Sequence, residues 1–348
     1  MAETVLVTGG SGFIAGWCIV DLLQRGYTVR ATLRTLSREA AVRAAIASAS
    51  SSTKMLSFHA ADLTRDEGWG AAMNGCDYVL HVASPLGSDG ATKPQALIAA
   101  ARDGTLRVLC AATKAAVRRV VMTSAATTAT PPLRSAQRSL SDETVWFDPA
   151  ERSVDTYRQS KRLAERAAWD FMKEQRGSTR LTTILPGAVF GPVLTTENPG
   201  SVQIIGRLLQ GRVPANPRLG FEIVDVRDLA GLHISAMTSA AAAGQRFIAV
   251  GEFLWMIDIA RTLRAQLGES ASKVPTGILP DWVFRLMSLA DPTLRAMTPR
   301  LGREHRHSSA KAREVLGWHS RPAAETLLEC ARSLLSEHSP NGIARLQP

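Results

Sequence analysis

The stretch from Thr4 to Gly16 constrains this chain more than any other. An apolar, β-branched segment, Val5-Leu6-Val7, runs into a turn made of Gly9, Gly10, Ser11 and Gly12, and an amphipathic pattern over Phe13–Arg25 follows at once. Small residues let the backbone approach a ligand closely. A helix N-terminus behind them offers unpaired N–H groups and the positive end of a dipole. Strand, glycine turn and helix in this order predict a first βαβ unit shaped to hold a pyrophosphate.

The same alternation continues to about residue 185. Strands are predicted at Thr4–Thr8, Thr28–Leu33, Met55–Ala60, Asp77–Val82, Arg119–Thr123 and Leu181–Leu185. Helical periodicity fills Phe13–Arg25, Ala40–Ala49, Pro94–Ala115 and Tyr157–Glu174. Such alternation implies an α/β, Rossmann-type, doubly wound parallel sheet covered on both faces. Beyond Pro186 the prolines 192, 199, 214 and 217 interrupt the pattern. Helices are then expected at Ser201–Gln210, Val226–Ser239, Met256–Leu267, Asp281–Leu289, Ala310–Leu316 and Ala323–Leu335. Residues 1–185 are therefore read as a dinucleotide-binding domain. Residues 186–348 are read as a smaller, mostly helical substrate lobe with some segments returning to the core.

With 45% apolar and 21% charged residues, the 348-residue chain can bury a large core. The first strand begins at once, with no basic leader, and no apolar run reaches the roughly 20 residues of a membrane span. The four cysteines, Cys18, Cys76, Cys110 and Cys330, are far apart and are read as buried, reduced thiols of a cytoplasmic protein. The net charge of +10 is spread along the chain. Its densest cluster is Arg295, Arg300, Arg303, His305, Arg306, His307, Lys311 and Arg313, without interleaved aromatics. The expectation is neither a nucleic-acid nor a membrane partner, with a homodimer left open.

Thr8-Gly9-x-x-Gly12-x-x-Ala15 resembles the T-G-x-x-G-x-x-G signature of extended short-chain dehydrogenases/reductases, with Ala15 at the third glycine. The resemblance covers roughly residues 3 to 335. It leans toward dihydroflavonol reductases, cinnamoyl-CoA reductases and microbial aldehyde/ketone reductases, on Arg34, the run His81-Val82-Ala83-Ser84-Pro85, and Glu165-x-x-Ala168-Trp169. Thr8, Gly9, Ser11, Gly12, Phe13 and Ile14 are the candidate cofactor cradle. The second strand ends at Arg34, and no Asp or Glu lies between Val29 and Arg38. An acidic residue there would hold the ribose hydroxyls of NAD, whereas an Arg suits a 2′-phosphate, so NADP(H) is expected, with Arg38 a second candidate cation. Asp62 with Leu63 resembles the family's adenine-contacting D-L segment, with a helix N-cap the competing role for Asp62. By resemblance, the backbone of Val82, Ala83 and Ser84 lines the ribose and nicotinamide side. Pro186, Gly187 and Val189 resemble the segment that cradles the nicotinamide amide.

Tyr157-Arg158-Gln159-Ser160-Lys161 places Tyr157 and Lys161 one turn apart on one helix face. Carbonyl reduction needs a proton for the developing alkoxide, and a nearby ammonium together with the positive nicotinamide ring of the oxidised cofactor is expected to lower the phenol's pKa. A third group, a hydroxyl polarising the carbonyl, belongs at the end of the fifth strand. The family reads T-S-S or S-S-S there with the last Ser catalytic, but this chain reads Thr123-Ser124-Ala125, which puts Ala125 in that column. Ser124 is the first candidate and Thr127 the second. Asp228 is expected to cap or pair within the fold, and His233 to be a packed helix residue.

The segments Ser84–Gly87, Ala126–Leu133, Phe190–Leu194, Ser201–Ile205 and Pro217–Phe221 are expected to wall a hydrophobic or aromatic ketone, aldehyde or β-keto ester, or else to be core. The leading function is an NADPH-dependent carbonyl reductase acting reversibly on small carbonyl/alcohol substrates. An epimerase, dehydratase or hydroxysteroid dehydrogenase on the same fold is the alternative, and a non-enzymatic NADP sensor a further one.

Overall fold

A computed structural model describes residues 2–85, 94–131, 140–147, 155–194 and 200–336. Seven strands form the central sheet: β1 (Thr4–Val7), β2 (Thr28–Leu33), β3 (Leu56–Ala60), β4 (Tyr78–His81), β5 (Arg119–Thr123), β6 (Arg180–Pro186) and β7 (Arg246–Ala249). Their order is β7-β6-β5-β4-β1-β2-β3, and every neighbouring pair is parallel. All C-terminal strand ends therefore share one edge of the sheet. The chain reverses its winding direction between β1 and β4, which opens a crevice at that edge.

The first five helices are α1 (Phe13–Gln24), α2 (Glu39–Ala47), α3 (Trp69–Met73), α4 (Pro94–Lys114) and α5 (Thr156–Glu174). The later ones are α6 (Val202–Leu209), α7 (Val226–Thr238), α8 (Met256–Leu267), α9 (Asp281–Ala290), α10 (Pro292–Met297), α11 (Ala310–Leu316) and α12 (Ala323–Ser336). Side chains alternate along a strand, so each strand of a covered sheet must be apolar on both faces. In β1, Val5 and Val7 enter a core with α1 and α7, while Leu6 enters the opposite core with α4 and α5. All three are fully buried.

Two parts of the architecture differ from the sequence expectation. The seventh strand, β7, was not anticipated. Its run Phe247-Ile248-Ala249-Val250 between Gly244 and Gly251 carries the strand signal, but it stands far downstream of β6, among helical segments. The lobe also contains a three-stranded sheet of Ala188–Phe190, Gly220–Asp225 and Phe253–Trp255. A third core joins α6, α8 and α12 through Val202, Ile205, Leu208, Ile259, Leu263 and Leu327.

Asp225, fully buried, caps α7 by accepting the Arg227 N–H and pairs with the Arg227 guanidinium at 2.8 Å. Asp228 pairs with Arg321 at 2.7 Å and ties α7 to the segment entering α12. All four cysteines are free; Cys18, Cys76 and Cys330 are buried, whereas Cys110 is only partly so. Among the described residues, no helix is long and apolar enough to cross a membrane. In the basic cluster near the C-terminus, Arg303, Arg306 and Arg313 are exposed, and other members bond within the molecule. Arg295 donates to Ser288 O, Arg300 to Gly220 O, Lys311 to Gln245, and His307 meets Glu222 at 2.6 Å.

Candidate active site

The glycine turn is clamped between the ends of β2 and β4. Gly9 N donates to Thr32 Oγ1 at 3.0 Å and Gly10 N to Thr32 O at 2.8 Å. Gly9 has φ +71°, and a Cβ built there would stand 3.0 Å from the Ala83 backbone. Gly10 is as confined: its Cβ would meet that of Ala31 at 2.8 Å. Gly12 forms the N-cap of α1 with no side-chain cap, and the first turn holds no acidic residue. The first N–H groups of α1, at Phe13 and Ile14, thus keep their donors and the positive dipole end available. An uncapped helix start behind a turn whose Gly9 and Gly10 leave no room for a side chain fits a pyrophosphate, with Ser11 at the rim of the turn.

Thr8 takes a different place from the one expected. It is fully buried, and its hydroxyl accepts the N–H groups of Val82 and Ala83 at 3.1 and 3.0 Å. Its own proton then goes to His81 Nδ1, 2.9 Å away, which leaves the imidazole proton on Nε2, facing Thr105. Burial first, and the charge of Lys161 second, press the His81 pKa down to about 3. Thr8 therefore stitches the turn to β4, while Val82, Ala83 and Ser84 lie half-buried beyond it.

Arg34 ends β2 exposed to solvent. Asp62 accepts the Thr64 N–H and hydroxyl, both at 2.8 Å, so it makes a local turn; the helix that follows is capped by Gly68 instead. The Thr64 N–H chiefly, and Arg34 among lesser causes, hold the Asp62 carboxyl below its usual range. Leu63 packs against α4, where a Cβ on Gly104 would stand 2.7 Å from that of Leu63. Pro186, the last residue of β6, is buried, and just beyond it Gly187 passes so near Glu222 that a Cβ would lie 2.5 Å from its carbonyl. Val189, in the small sheet, pairs with Val224.

Asp155 caps α5 by accepting the Arg158 N–H at 2.9 Å, and this sets the first turn on which Tyr157 stands. Tyr157 keeps 38% of its surface open. Protein closes round the rest, and that desolvation, followed by the Asp155 charge, pushes the phenol up to about 12. The phenol therefore holds its proton at neutral pH. Lys161 is buried at 6% exposure and donates to Thr123 O at 3.4 Å. Burial lowers its pKa to about 8, with Glu165 acting against the shift.

The hydroxyls after β5 have separate fates. Ser124, 2% exposed, donates to Glu165 Oε2 at 2.7 Å. Glu165 is fully buried and also receives Thr183 Oγ1 at 2.9 Å and Arg246 Nε at 3.0 Å. Arg246 goes on to Glu143 O, Val145 O and Thr128 Oγ1, and its guanidinium lies 3.8 Å from the Trp146 ring centre. Ser124 is thereby drawn into a buried polar network and away from the role first expected of it. Sequence reasoning missed this network. Its signal was present: Tyr157, Lys161 and Glu165 recur at every fourth position of α5, so Glu165 shares their face. Thr127 lies in a short 3₁₀ turn, Ala126–Ala129, and its Oγ1 is buried with no hydrogen-bond partner. His233 is fully buried between Thr123 Oγ1 and Leu229 O, both at 2.8 Å, as a packed helix residue.

Several expected wall residues face inward. Phe190, Val193, Val202 and Ile205 belong to the lobe's core, because α6 turns its apolar stripe toward α8 and α12. Leu219 is buried in a separate small cluster, and Phe221 lies beneath the Arg300 guanidinium. Residues 86–87 and 132–133 of the expected wall lie outside the described residues.

The sequence profile of the NAD dependent epimerase/dehydratase family matches residues 5–251. A dihydroflavonol 4-reductase of Arabidopsis thaliana is 34% identical across 77% of this chain and 70% of its own length. Cinnamoyl-CoA reductase 1 of Petunia hybrida is 31% identical across 99% of this chain and 98% of its own. The solved structure of yeast methylglyoxal/isovaleraldehyde reductase Gre2 complexed with NADPH superposes with a TM-score of 0.80, at 25% identity, covering 97% of this chain and 99% of that one.

Proposed function

The chain belongs to the NAD dependent epimerase/dehydratase family, among its extended short-chain dehydrogenases/reductases, and on that premise we propose that it is an NADPH-dependent carbonyl reductase. The observation that carries this reading is a protonated, partly exposed Tyr157 one helical turn from a buried Lys161 whose ammonium reaches the C-terminal end of β5. The reductase relatives and the NADPH-bound yeast neighbour support it.

Gly9, Ser11, Gly12, Phe13 and Ile14 would hold the pyrophosphate, Arg34 the 2′-phosphate, and Asp62 with Leu63 the adenine. Val82, Ala83 and Ser84 on one side and Pro186, Gly187 and Val189 on the other would frame the nicotinamide half. NADPH, when bound, supplies the hydride for the carbonyl carbon. Tyr157 holds the proton that the carbonyl oxygen takes up, and in the reverse direction its phenolate receives the alcohol's proton. Lys161 is charged below about pH 8. One of its hydrogens is directed at Thr123 O, leaving two for ribose hydroxyls and for drawing negative charge onto Tyr157.

The test is NADPH oxidation with a panel of aryl ketones, β-keto esters and aldehydes, run beside NADH and a Tyr157→Phe variant. Turnover with NADPH that falls about 10²- to 10⁴-fold in the variant is the expected result. NADPH binding without turnover on any carbonyl overturns the reductase reading, and a preference for NADH overturns the role of Arg34.

A further inference from the structure

We propose that Thr127 supplies the hydroxyl that holds the substrate's carbonyl oxygen, in place of the serine that this chain replaces with Ala125. The proposal rests on the reductase reading and adds to it the third member of the site.

Five hydroxyls lie between Thr123 and Thr130, and four have fixed partners. Thr123 Oγ1 is bound to His233 Nε2 at 2.8 Å. Ser124 donates to the buried Glu165 at 2.7 Å, and freeing it would leave that carboxylate short of a donor. Thr128 donates to Ala125 O at 2.9 Å and accepts from Arg246 at 3.2 Å. Thr130 donates to Ala126 O at 3.3 Å and meets His307 at 3.0 Å. Ala125, at the strand end itself, has only a methyl group. Thr127 alone of the five has an Oγ1 that is buried and unpaired.

Its backbone is tied to the catalytic helix. Arg162 Nε, the residue after Lys161, donates to Thr127 O at 3.2 Å. The 3₁₀ turn and the first turns of α5 are thus held in register, which fixes Thr127 relative to Tyr157 and Lys161. Thr127 as a residue is only partly buried, although its Oγ1 is covered. Rotation about χ1 by about 120° carries the hydroxyl into the position that the methyl group held. An unpaired buried hydroxyl is costly, and turning it toward an arriving carbonyl oxygen removes that cost. The hydrogen bond would then form as substrate binds and strengthen as negative charge develops on the oxygen.

The experiment compares wild type, Thr127→Val, Thr127→Ser and the double variant Thr127→Val/Ala125→Ser on the carbonyl that wild type reduces fastest, with NADPH affinity and Tm measured for each. Valine keeps the shape and loses the hydroxyl. We expect kcat to fall about 10²-fold in Thr127→Val, with NADPH affinity and Tm near wild type. Thr127→Ser should keep most of kcat, and the serine hydroxyl that the double variant gains at the strand end should restore part of it. If Thr127→Val keeps wild-type kcat while Tyr157→Phe loses it, the role of Thr127 is overturned and the reductase reading stands. If wild type reduces no carbonyl, the reading fails and takes this role with it.

Discussion

The junction from β1 into α1 and the junction after β5 into α5 sit at the same edge of the sheet and work by opposite means. At the first, the surface offered to a ligand is mostly backbone. Gly9, Gly10 and Gly12 serve by lacking side chains, and the one polar side chain of the turn's entry, Thr8, is spent on β4. At the second, the groups proposed to act on the substrate are side chains, Tyr157 and Lys161. They stand in front of a buried polar network of Ser124, Thr183, Glu165 and Arg246. A backbone site depends on a few local φ values and close approaches. A side-chain site depends on which neighbour has already claimed each donor.

The largest effect should come from breaking the network behind the second junction. Arg246 and Glu165 are 6% and 0% exposed and 3.0 Å apart. Replacing Arg246 by Leu leaves a buried carboxylate without its counter-charge, and about 3–5 kcal/mol of stability should be lost in urea unfolding. A loss below about 1 kcal/mol would mean that Ser124 and Thr183 alone satisfy Glu165, and the network would be less decisive than its geometry implies.

Acid should act next, through one buried histidine behind each junction, His81 against Thr8 and His233 against Thr123. His81 and His233 have folded-state pKa values of about 3 and about 4, below the ordinary 6.5, chiefly from burial. Lowered histidine values mean that the unfolded chain binds protons which the folded chain refuses. Their contribution is therefore complete above pH 6.5 and is lost as pH falls toward 4 and 3. At pH 5 each should cost about 2 kcal/mol. Urea unfolding of wild type and His233→Gln at pH 7 and pH 5 checks this. The variant should lose less on acidification, and equal losses would remove His233 from the account.

The smallest stability change belongs to the first junction, where it should show most in binding. Gly9→Ala must hold a side chain at φ +71° beside Ala83. A left-handed Ala costs about 1–2 kcal/mol, and displacing the turn should weaken NADPH affinity at least as much as stability. Fluorescence titration and thermal unfolding separate the two effects. Unchanged affinity would show that the turn tolerates a side chain and that the contrast between the junctions is overstated.

The six strands expected up to residue 185 all form, with no end moved by more than one residue, because each carries its own apolar run between turn residues. β7 was missed because a strand at the edge of a sheet, reached through a long excursion into the lobe, looks locally like a piece of that lobe. At α6 the sequence left wall and core both open for a related reason, and the structure makes Val202 and Ile205 core. An apolar stripe is visible in sequence, but the side of the helix that faces a core is set by α8 and α12, which lie far away along the chain.

The sequence by itself determined the parallel sheet, the glycine turn and the Tyr157/Lys161 pair, since periodicity, φ preference and one-turn spacing are local properties of the chain. Only the tertiary structure decided which hydroxyl after β5 is spent and which is unpaired. Ser124 and Thr127 are both plausible donors on paper, and what separates them is Glu165, carried by a different element and folded under one of them. A hydrogen-bond donor is available only if no neighbour has already taken it, and neighbours are a property of the packed molecule.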